Sequence, residues 1–444
     1  MRATGRRGRR DLGVFVRGIE HDNTAVDDRA ADVIVVGAGP AGATAARTLA
    51  LAGVRPLVLD RARFPRHKPC GGAISMRALS RFPWLSAPLA RIATHWISHL
   101  HLEGPDRDAV ELRSDTPAAL MIRRVEFDAL LVALAREAGA EIVEGADVID
   151  AGETQEAVHL RTRDGRRFSA PLVIACDGVH TLVARRLGIT GGWSRSALAV
   201  DMMEETPASS LRAIDPASLW VAYGFPIRKD LAEGYAYVFP KREHVNVGLG
   251  YVVSRFRDAS PGPAYQLQRD FVDFLVRDGV LEGRSRREHF TPFLIPVAGP
   301  LKTRARGRLL IAGDAGGFVN GFTAEGIYYA MVTGEHAAAT VVDALGSRRT
   351  RRPDLSGYRS RWRAEFGAEL RDSVLIQRYL LTRPDRIGTL VRGARRWPAV
   401  ADTVVRYAMG LTPYHRARRD LLATTPALAL RLTASHVMRL LRGA

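Results

Sequence analysis

Short, mostly apolar runs punctuate this chain, at residues 32–36, 54–60, 172–175 and 309–312. Runs of that length, apolar at nearly every position, read as strands buried on both faces, as in a parallel sheet. Residues 37–53, between the first two, read as a tight turn and an Ala-rich helix, so the segment forms a β-α-β unit. Residues 127–138 change to helical spacing, with Phe127, Leu130, Leu131, Leu134 and Ala135 on one side, and a strand follows at 141–143. Residues 158–161 and 167–169 flank Asp164-Gly165, the signal of a hairpin. From 196 to 295 the texture is β-rich, with runs at 235–239 and 245–252 between polar turns. The buried-strand texture returns near Val297, leads through 309–312 into an apolar helix, and beyond Leu345 the chain reads helical and Arg-rich.

This order predicts an α/β fold: a Rossmann-like nucleotide-binding domain, an inserted antiparallel β-sheet domain and a helical C-terminal region. The first is expected from residues 31–95, 120–195 and 296–345, the inserted sheet from 96–119 and 196–295, and the helical region from 346–444. Residues 1–30 carry Arg6-Arg7 and Arg9-Arg10 but no apolar h-region, and read as a disordered tail rather than a secretion signal.

Composition narrows the class. The 444 residues are 46% apolar and 25% charged, which is globular and long enough for two or three domains. No stretch long enough to span a bilayer is free of Gly and charge. Two cysteines, Cys70 and Cys176, cannot build a disulfide framework or hold a four-thiolate iron–sulfur cluster, so a reducing cytoplasm is the expected compartment. The formal charge is +18, yet only four of the 65 basic residues are lysines. That bias looks like GC-rich coding, and without zinc-finger spacing or an aromatic–basic strand pattern no nucleic-acid partner is expected. A basic surface does suit anionic lipid headgroups, and the basic, apolar pattern at 412–442 reads equally as a membrane-surface helix or as a helix packed on its own domain.

Two nucleotide signals lie far apart in the chain. Gly37-Ala38-Gly39-Pro40-Ala41-Gly42 fits G-x-G-x-x-G directly after a strand and at a helix start. There Gly37 permits the tight turn, Gly39 lets backbone meet a pyrophosphate, and Gly42 lets helix and strand pack closely. Asp60 ends the second strand, where a carboxylate holds a ribose diol. The second signal is Gly313-Asp314-Ala315-Gly316-Gly317-Phe318-Val319-Asn320, running on through Thr323-Ala324-Glu325-Gly326-Ile327 into a helix. A carboxylate at a strand end, small residues and a helix N-terminus suit a polyol chain beside an electron-poor ring. Asp177-Gly178 ends a further strand; Asp177 reads either as backing the nucleotide or as capping the next helix. Arg124 reads either as a phosphate partner or as a solvated arginine.

With these pieces in order the chain resembles flavoproteins of the para-hydroxybenzoate hydroxylase type, and among them most the geranylgeranyl reductase family. Three motifs across residues 30–345 carry the resemblance. Phe64-Pro65-Arg66-His67-Lys68-Pro69-Cys70-Gly71-Gly72 is similar to the family's Cys-Gly-Gly loop. Tyr235-Ala236-Tyr237-Val238-Phe239-Pro240-Lys241, then Asn246-Val247-Gly248-Leu249-Gly250, is similar to its Tyr-x-Trp-x-Phe-Pro strand and turn. The third is the segment from Gly313. The chain departs from the pattern at Tyr237, where Trp is usual, at Gly316 and Gly321, and at Ala324, which replaces the first Gly of Gly-Glu-Gly.

The resemblance implies FAD as cofactor, held by Gly37, Gly39, Pro40, Ala41, Gly42, Asp60, Arg61, Cys70, Gly71, Arg124, Asp177, Gly313, Asp314, Gly326 and Ile327. It implies reduction of C=C bonds in an isoprenoid lipid, polyprenyl diphosphate or quinone, with Cys70, Gly71, Gly72, Tyr235 and Tyr237 at the reacting end. Electrons would come from NADPH or a reduced ferredoxin-like donor, because a single complete G-x-G-x-x-G leaves no second nucleotide domain. A lipid substrate implies peripheral contact with the cytoplasmic face of a membrane. A monooxygenase or halogenase, or an electron-transfer quinone reductase, stands as the alternative on the same scaffold. His95, His99 and His101 suggest a metal cluster at first sight, but no carboxylate or cysteine in the pattern completes a set, and no metal is expected.

Overall fold

The computed structural model describes residues 31–224, 234–259, 263–346, 353–381 and 383–408, with a few residues between 410 and 423. The N-terminal tail and nearly all of the 412–442 pattern lie outside the described residues. The apolar runs form a six-stranded sheet in the order Ala305–Arg306, Leu309–Ile311, Leu172–Ala175, Val33–Val36, Pro56–Asp60, Glu141–Glu144, all parallel except the short edge strand. Their alternate residues serve two different layers, which is why the central strands are apolar nearly throughout. Val33, Val35, Val58 and Ile174 face the helices Pro40–Leu51, Arg124–Glu137 and Ile327–Gly346. Ile34, Val36, Leu59 and Val173 face the antiparallel sheet Val148–Glu153, Val158–Thr162, Arg167–Ala170.

The β-rich middle forms a seven-stranded sheet in the order Phe290–Pro296, Leu198–Pro207, His244–Val252, Tyr235–Pro240, Ser218–Tyr223, His99–Glu103, Ala109–Arg113. All its pairs are antiparallel except Ser218–Tyr223 with His99–Glu103. The contribution expected from residues 96–119 divides. A break at Ser98 sends Thr94–Ile97 into a small sheet with Ala119–Ile122 and Ala73–Ser75, while His99–Glu103 joins the large one. One face of the large sheet is sealed by the amphipathic helix Ala264–Arg277, whose Leu267, Phe271 and Leu275 meet Met202, Ala236, Val238, Val247 and Leu249. The other face turns toward the nucleotide fold. The C-terminal helices Ala368–Leu380, Pro384–Arg396 and Pro398–Ala408 pack beside its far end, on Leu100, Leu102 and Leu112. Among the described residues no helix is long and apolar enough to cross a membrane.

Candidate functional site

Four strands of the parallel sheet end at one edge, and the candidate nucleotide residues gather there. Strand Val33–Val36 lies between Leu172–Ala175 and Pro56–Asp60, so the chain leaves its end at the topological switch point, where such sheets bind ligands. Gly37 turns there with φ +96°; a Cβ would stand 2.3 Å from the Cys176 carbonyl oxygen. A Cβ at Gly42 would lie 1.8 Å from the Gly37 carbonyl oxygen, so the helix Pro40–Leu51 packs on its own turn. Gly39 is different: only the Arg66 guanidinium, at 3.7 Å, comes near its missing side chain. Open space, Pro40 at the first helical position and unpaired helix-start N–H groups together suit an anion. Ala41 meets the Ile327–Gly346 helix, where a Cβ at Gly334 would stand 2.1 Å from its carbonyl oxygen.

Asp60 is buried, and its two oxygens accept from the N–H groups of Ala38 at 2.6 Å and Ala62 at 2.8 Å. The carboxylate therefore ties the glycine turn to the second strand and keeps its remaining lone pairs for a ligand. Arg61 beside it is exposed. Asp177 gives one oxygen to the Val183 N–H at 3.0 Å, at the start of the Leu182–Arg186 helix, while its other oxygen is buried without a hydrogen-bond partner. Burial pushes its carboxyl up to about 6.

At the far end of the cleft Gly313 has φ +61°, a Cβ there would stand 3.0 Å from the Ala41 Cβ, and its N–H donates to Thr333 Oγ1. Asp314 follows, with one oxygen 3.5 Å from the place a Cβ of Gly326 would take, directly before the helix that starts at Ile327. Burial raises the Asp314 carboxyl, and Lys68 and Arg124 pull it back. Arg124 is buried and chelated by both oxygens of Asp128, at 2.7 and 2.8 Å; burial opposes its charge but Asp128 outweighs it and raises its pKa. Arg66 reaches the same Asp128 at 3.0 Å. Asp128 thus anchors two cations, Arg66 near Gly39 and Arg124 at the Cys70 cavity, and its spacing four residues after Arg124 on a helix signals the second pairing. Burial, then Arg124, lowers the pKa of Lys68.

The Cys70-Gly71-Gly72 loop sits between this cleft and the large sheet. Cys70 donates its N–H to Met203 Sδ at 3.1 Å and accepts at its carbonyl from Asn246 Nδ2 at 2.7 Å. Gly71 lies flat on Phe239, where a Cβ would come within 2.8 Å of the ring. Gly72, with φ +79°, accepts from the Ile122 N–H and lies close to Lys241 Nζ. Lys241 and Arg123 both bind Glu205, at 3.1 and 2.9 Å. Burial opposes the Glu205 charge, but these two cations hold its carboxyl at about 2. A small cavity is lined by Cys70, Lys68, Arg124, Met203, Glu205, Lys241 and Asn246, and the Asn246 Oδ1 is buried without a partner.

Tyr235 and Tyr237 share one face of their strand, as the alternation predicts, and lie over Gly250 and Gly248 of the neighbouring strand. Their rings continue a row: Phe239 to Tyr237 at 4.6 Å, Tyr237 to Tyr235 at 5.7 Å, Tyr235 to Tyr223 at 6.2 Å, Tyr223 to Phe322 at 5.3 Å. The Tyr237 hydroxyl reaches the buried carboxyl of Asp201. Asp201, Met203, Glu205, Asp128 and Arg66 complete the site without having been expected from the sequence. Cys176 is buried, and burial raises its thiol. His95 bonds to the Pro216 carbonyl, His99 to Asp215 and His101 to Glu111. Among the described residues no group of three such side chains could hold a metal ion.

A glycine-lined switch-point cleft with Arg66 beside its glycine turn and the Cys70-Gly71-Gly72 loop at its other end fits an FAD-dependent oxidoreductase. The family model for the FAD binding domain matches residues 30–336, and the chain belongs to that family, in its geranylgeranyl reductase group. The menaquinone reductase of Mycolicibacterium smegmatis is 31% identical over 69% of this chain and 75% of its own length. Digeranylgeranylglycerophospholipid reductase 1 of Methanopyrus kandleri is 30% identical over 76% of this chain and 86% of its own. A solved structure of a geranylgeranyl bacteriochlorophyll reductase-like protein from Thermoplasma acidophilum superposes with a TM-score of 0.75, at 21% identity over 91% of this chain and 98% of its own. The residues at the cleft fit FAD: the turn glycines leave no room for side chains, the helix start is open at Gly39, and Arg66 stands beside it.

Proposed function

We propose that this protein saturates C=C bonds in the isoprenoid chain of a lipid, a polyprenyl diphosphate or a quinone. The observation that carries the reading is the docking of the Cys70-Gly71-Gly72 loop on the Tyr235–Pro240 strand, through Gly71 on Phe239 and Asn246 on the Cys70 carbonyl. It joins the cofactor end to a wall of aromatic rings. Bound FAD, once reduced, supplies two electrons and one hydrogen to the alkene. The chain's own residues bind and orient. Gly39 and the Pro40 helix start would take the pyrophosphate, with Arg66 beside them, and Asp314 would take the ribityl chain. The start of the Ile327 helix would stabilise negative charge on the ring.

The ring row from Phe239 to Phe322 offers an apolar surface to a polyprenyl chain and excludes water, which an unactivated alkene requires. The proposed electron source is NADPH or a small reduced redox protein. The formal charge of +18 supports an encounter with the substrate at an anionic, cytoplasmic membrane surface.

The test is anaerobic. The FAD-loaded protein is reduced, mixed with geranylgeranyl diphosphate or menaquinone, and the product mass is measured. A gain of two hydrogens per reduced bond is expected. Reoxidation only by O₂ with a hydroxylated or halogenated product, or quinol formation with an unsaturated side chain, overturns the reading.

A further inference from the structure

The large sheet holds a carboxyl group that the reading above does not use. Asp201 is 3% exposed and stands between Gly250 and Phe293 on the two flanking strands. The Tyr237 hydroxyl lies 3.2 and 3.4 Å from its two oxygens. Tyr237 is itself buried and packed between the rings of Tyr235 and Phe239, and Phe239 lies on Gly71 of the cysteine loop. The ionisable groups around the pair are Lys68, whose ammonium sits over the Phe293 ring, with Tyr235 and Cys70.

A carboxyl and a phenol at this separation share protons in one of two patterns. Ionised Asp201 only accepts, so it consumes the Tyr237 O–H. Protonated Asp201 donates to the phenol oxygen, and the phenol O–H is released to turn elsewhere. Burial pushes the Asp201 carboxyl up to about 8, against the pulls of Tyr237 and Lys68, so the second pattern prevails at neutral pH. The Tyr237 phenol is held well above its usual range by burial and by the Asp201 charge. Alone it is a weak acid. A carboxylic acid donating to its oxygen neutralises the charge that appears as the proton leaves.

We propose that Asp201 and Tyr237 form a proton-delivery pair, with Tyr237 the donor to one alkene carbon and Asp201 the group that positions and reloads it. The step rests on the reductase reading. The Tyr237 O–H bond breaks, a C–H bond forms, and the Asp201 proton moves to the phenolate oxygen; Asp201 then regains a proton from solvent. The alkene's other hydrogen, with two electrons, comes from the reduced flavin, so two electrons and two protons are accounted for.

Two measurements test this. Infrared difference spectra of the flavin-free chain read the carboxylic C=O stretch. The wild type is expected to lose one such band with a midpoint near pH 8, and Asp201→Asn to lack it. A wild-type spectrum indistinguishable from that of Asp201→Asn at neutral pH overturns the pairing. With FAD loaded and geranylgeranyl diphosphate as substrate, saturation is expected to slow about tenfold per pH unit above that midpoint. Asp201→Asn, whose amide donates to the phenol oxygen at every pH, is expected to lose this alkaline limb. Tyr237→Phe is expected to slow saturation roughly 100-fold while the protein still takes up FAD. An Asp201→Asn enzyme that keeps the limb, or a Tyr237→Phe enzyme as fast as wild type, overturns proton delivery by the pair. A wild type that saturates no bond at any pH sinks the reductase reading and the proton's destination together, while the infrared band still decides the pairing.

Discussion

The two faces of the seven-stranded sheet are made by the same strands and have opposite chemistry. Toward the Ala264–Arg277 helix, alternate positions are Met202, Ala236, Val238, Val247 and Leu249, closed by Phe271, with one carboxyl, Glu204, at the margin and held by Ser285 and the Arg286 N–H. Toward the cysteine loop, the intervening positions are Asp201, Met203, Glu205, Tyr235, Tyr237, Asn246, Gly248 and Gly250. The first face contributes stability by removing apolar surface from water. The second carries buried carboxyls, an amide oxygen without a partner and two glycines, each of which weakens a strand. A period of two lets one strand serve both purposes, so a fold can keep a costly reactive face by loading its stability onto the opposite one.

Truncation on the apolar face is the strongest test of that division. Phe271 is fully buried among Leu267, Leu275 and the sheet. Phe271→Ala is expected to destabilise the protein by about 4 kcal/mol in denaturant unfolding. FAD affinity of the fraction that stays folded is expected to hold. Loss of FAD binding by a folded variant means that the faces are not independent.

Charge on the reactive face gives the next largest effect, with a sign set by pH. The Glu205 carboxyl titrates at about 2 in the folded protein, below its ordinary 4.5, so its contribution is present above about pH 5 and is lost as pH falls toward 2. Glu205→Gln is expected to cost about 3 kcal/mol at neutral pH, leaving Lys241 buried and unpaired, and the gap from wild type is expected to close on acidification. Asp201 runs the other way. Its folded value of about 8 lies above the ordinary 3.8, so it weakens folding increasingly as pH rises between those values, and Asp201→Asn is expected to gain stability over that window. Unfolding midpoints measured across pH check both slopes; parallel slopes for the two variants would contradict the opposed environments.

The two glycines test whether the reactive face is shaped as tightly as the apolar one. A Cβ at Gly248 would stand 2.3 Å from the Tyr237 ring, and one at Gly250 2.3 Å from the Tyr235 ring. Either Gly→Ala change is expected to cost about 2 kcal/mol by overpacking, despite the better strand propensity of alanine. Near-UV circular dichroism should report the displaced tyrosines, and an unchanged spectrum with unchanged stability refutes the close fit.

The parallel sheet and its nucleotide edge were legible in the sequence for the same reason: both follow from local pattern. Leu172–Ala175 announces itself by four apolar residues, and Gly37, Gly39, Gly42 and Asp60 by their spacing around one β-α-β unit. The meeting of Gly71 with Phe239 was legible only through motif resemblance, since about 170 residues separate them in the chain. Asp201 and Glu205 were not legible. In Ala199-Val200-Asp201-Met202-Met203-Glu204-Glu205 the carboxylates fall at both odd and even places, and only the register with His244–Val252 and Phe290–Pro296 decides which of them face the cysteine loop. The tie between Lys241 and Glu205 likewise exists only once three strands are paired. Arg66 and Asp128 meet across the fold, although Arg124 and Asp128 share a helix face that spacing alone could have flagged.

The smallest effect comes from reversing the glycine argument. Gly248 and Gly250 stand where a side chain cannot fit; Ala324 stands where glycine would be easier. Its φ is +58°, in the left-handed region, within a turn that ties its N–H to the Asn320 carbonyl at 3.0 Å and lies directly before Glu325 and the Ile327 helix. An alanine held there costs roughly 1 kcal/mol relative to glycine, partly offset by the greater freedom that glycine has when unfolded. Ala324→Gly is therefore expected to leave stability within about 1 kcal/mol of wild type, with any shift toward greater stability. Because the turn leads into the helix start proposed to face the flavin ring, relief of the strain should also tighten FAD binding slightly, by about twofold. Calorimetric titration of FAD into the two apoproteins checks this. A weaker affinity in the glycine variant would show that the alanine methyl group supports the loop instead of straining it, and that the tight fit on the tyrosine face extends to this side of the cofactor.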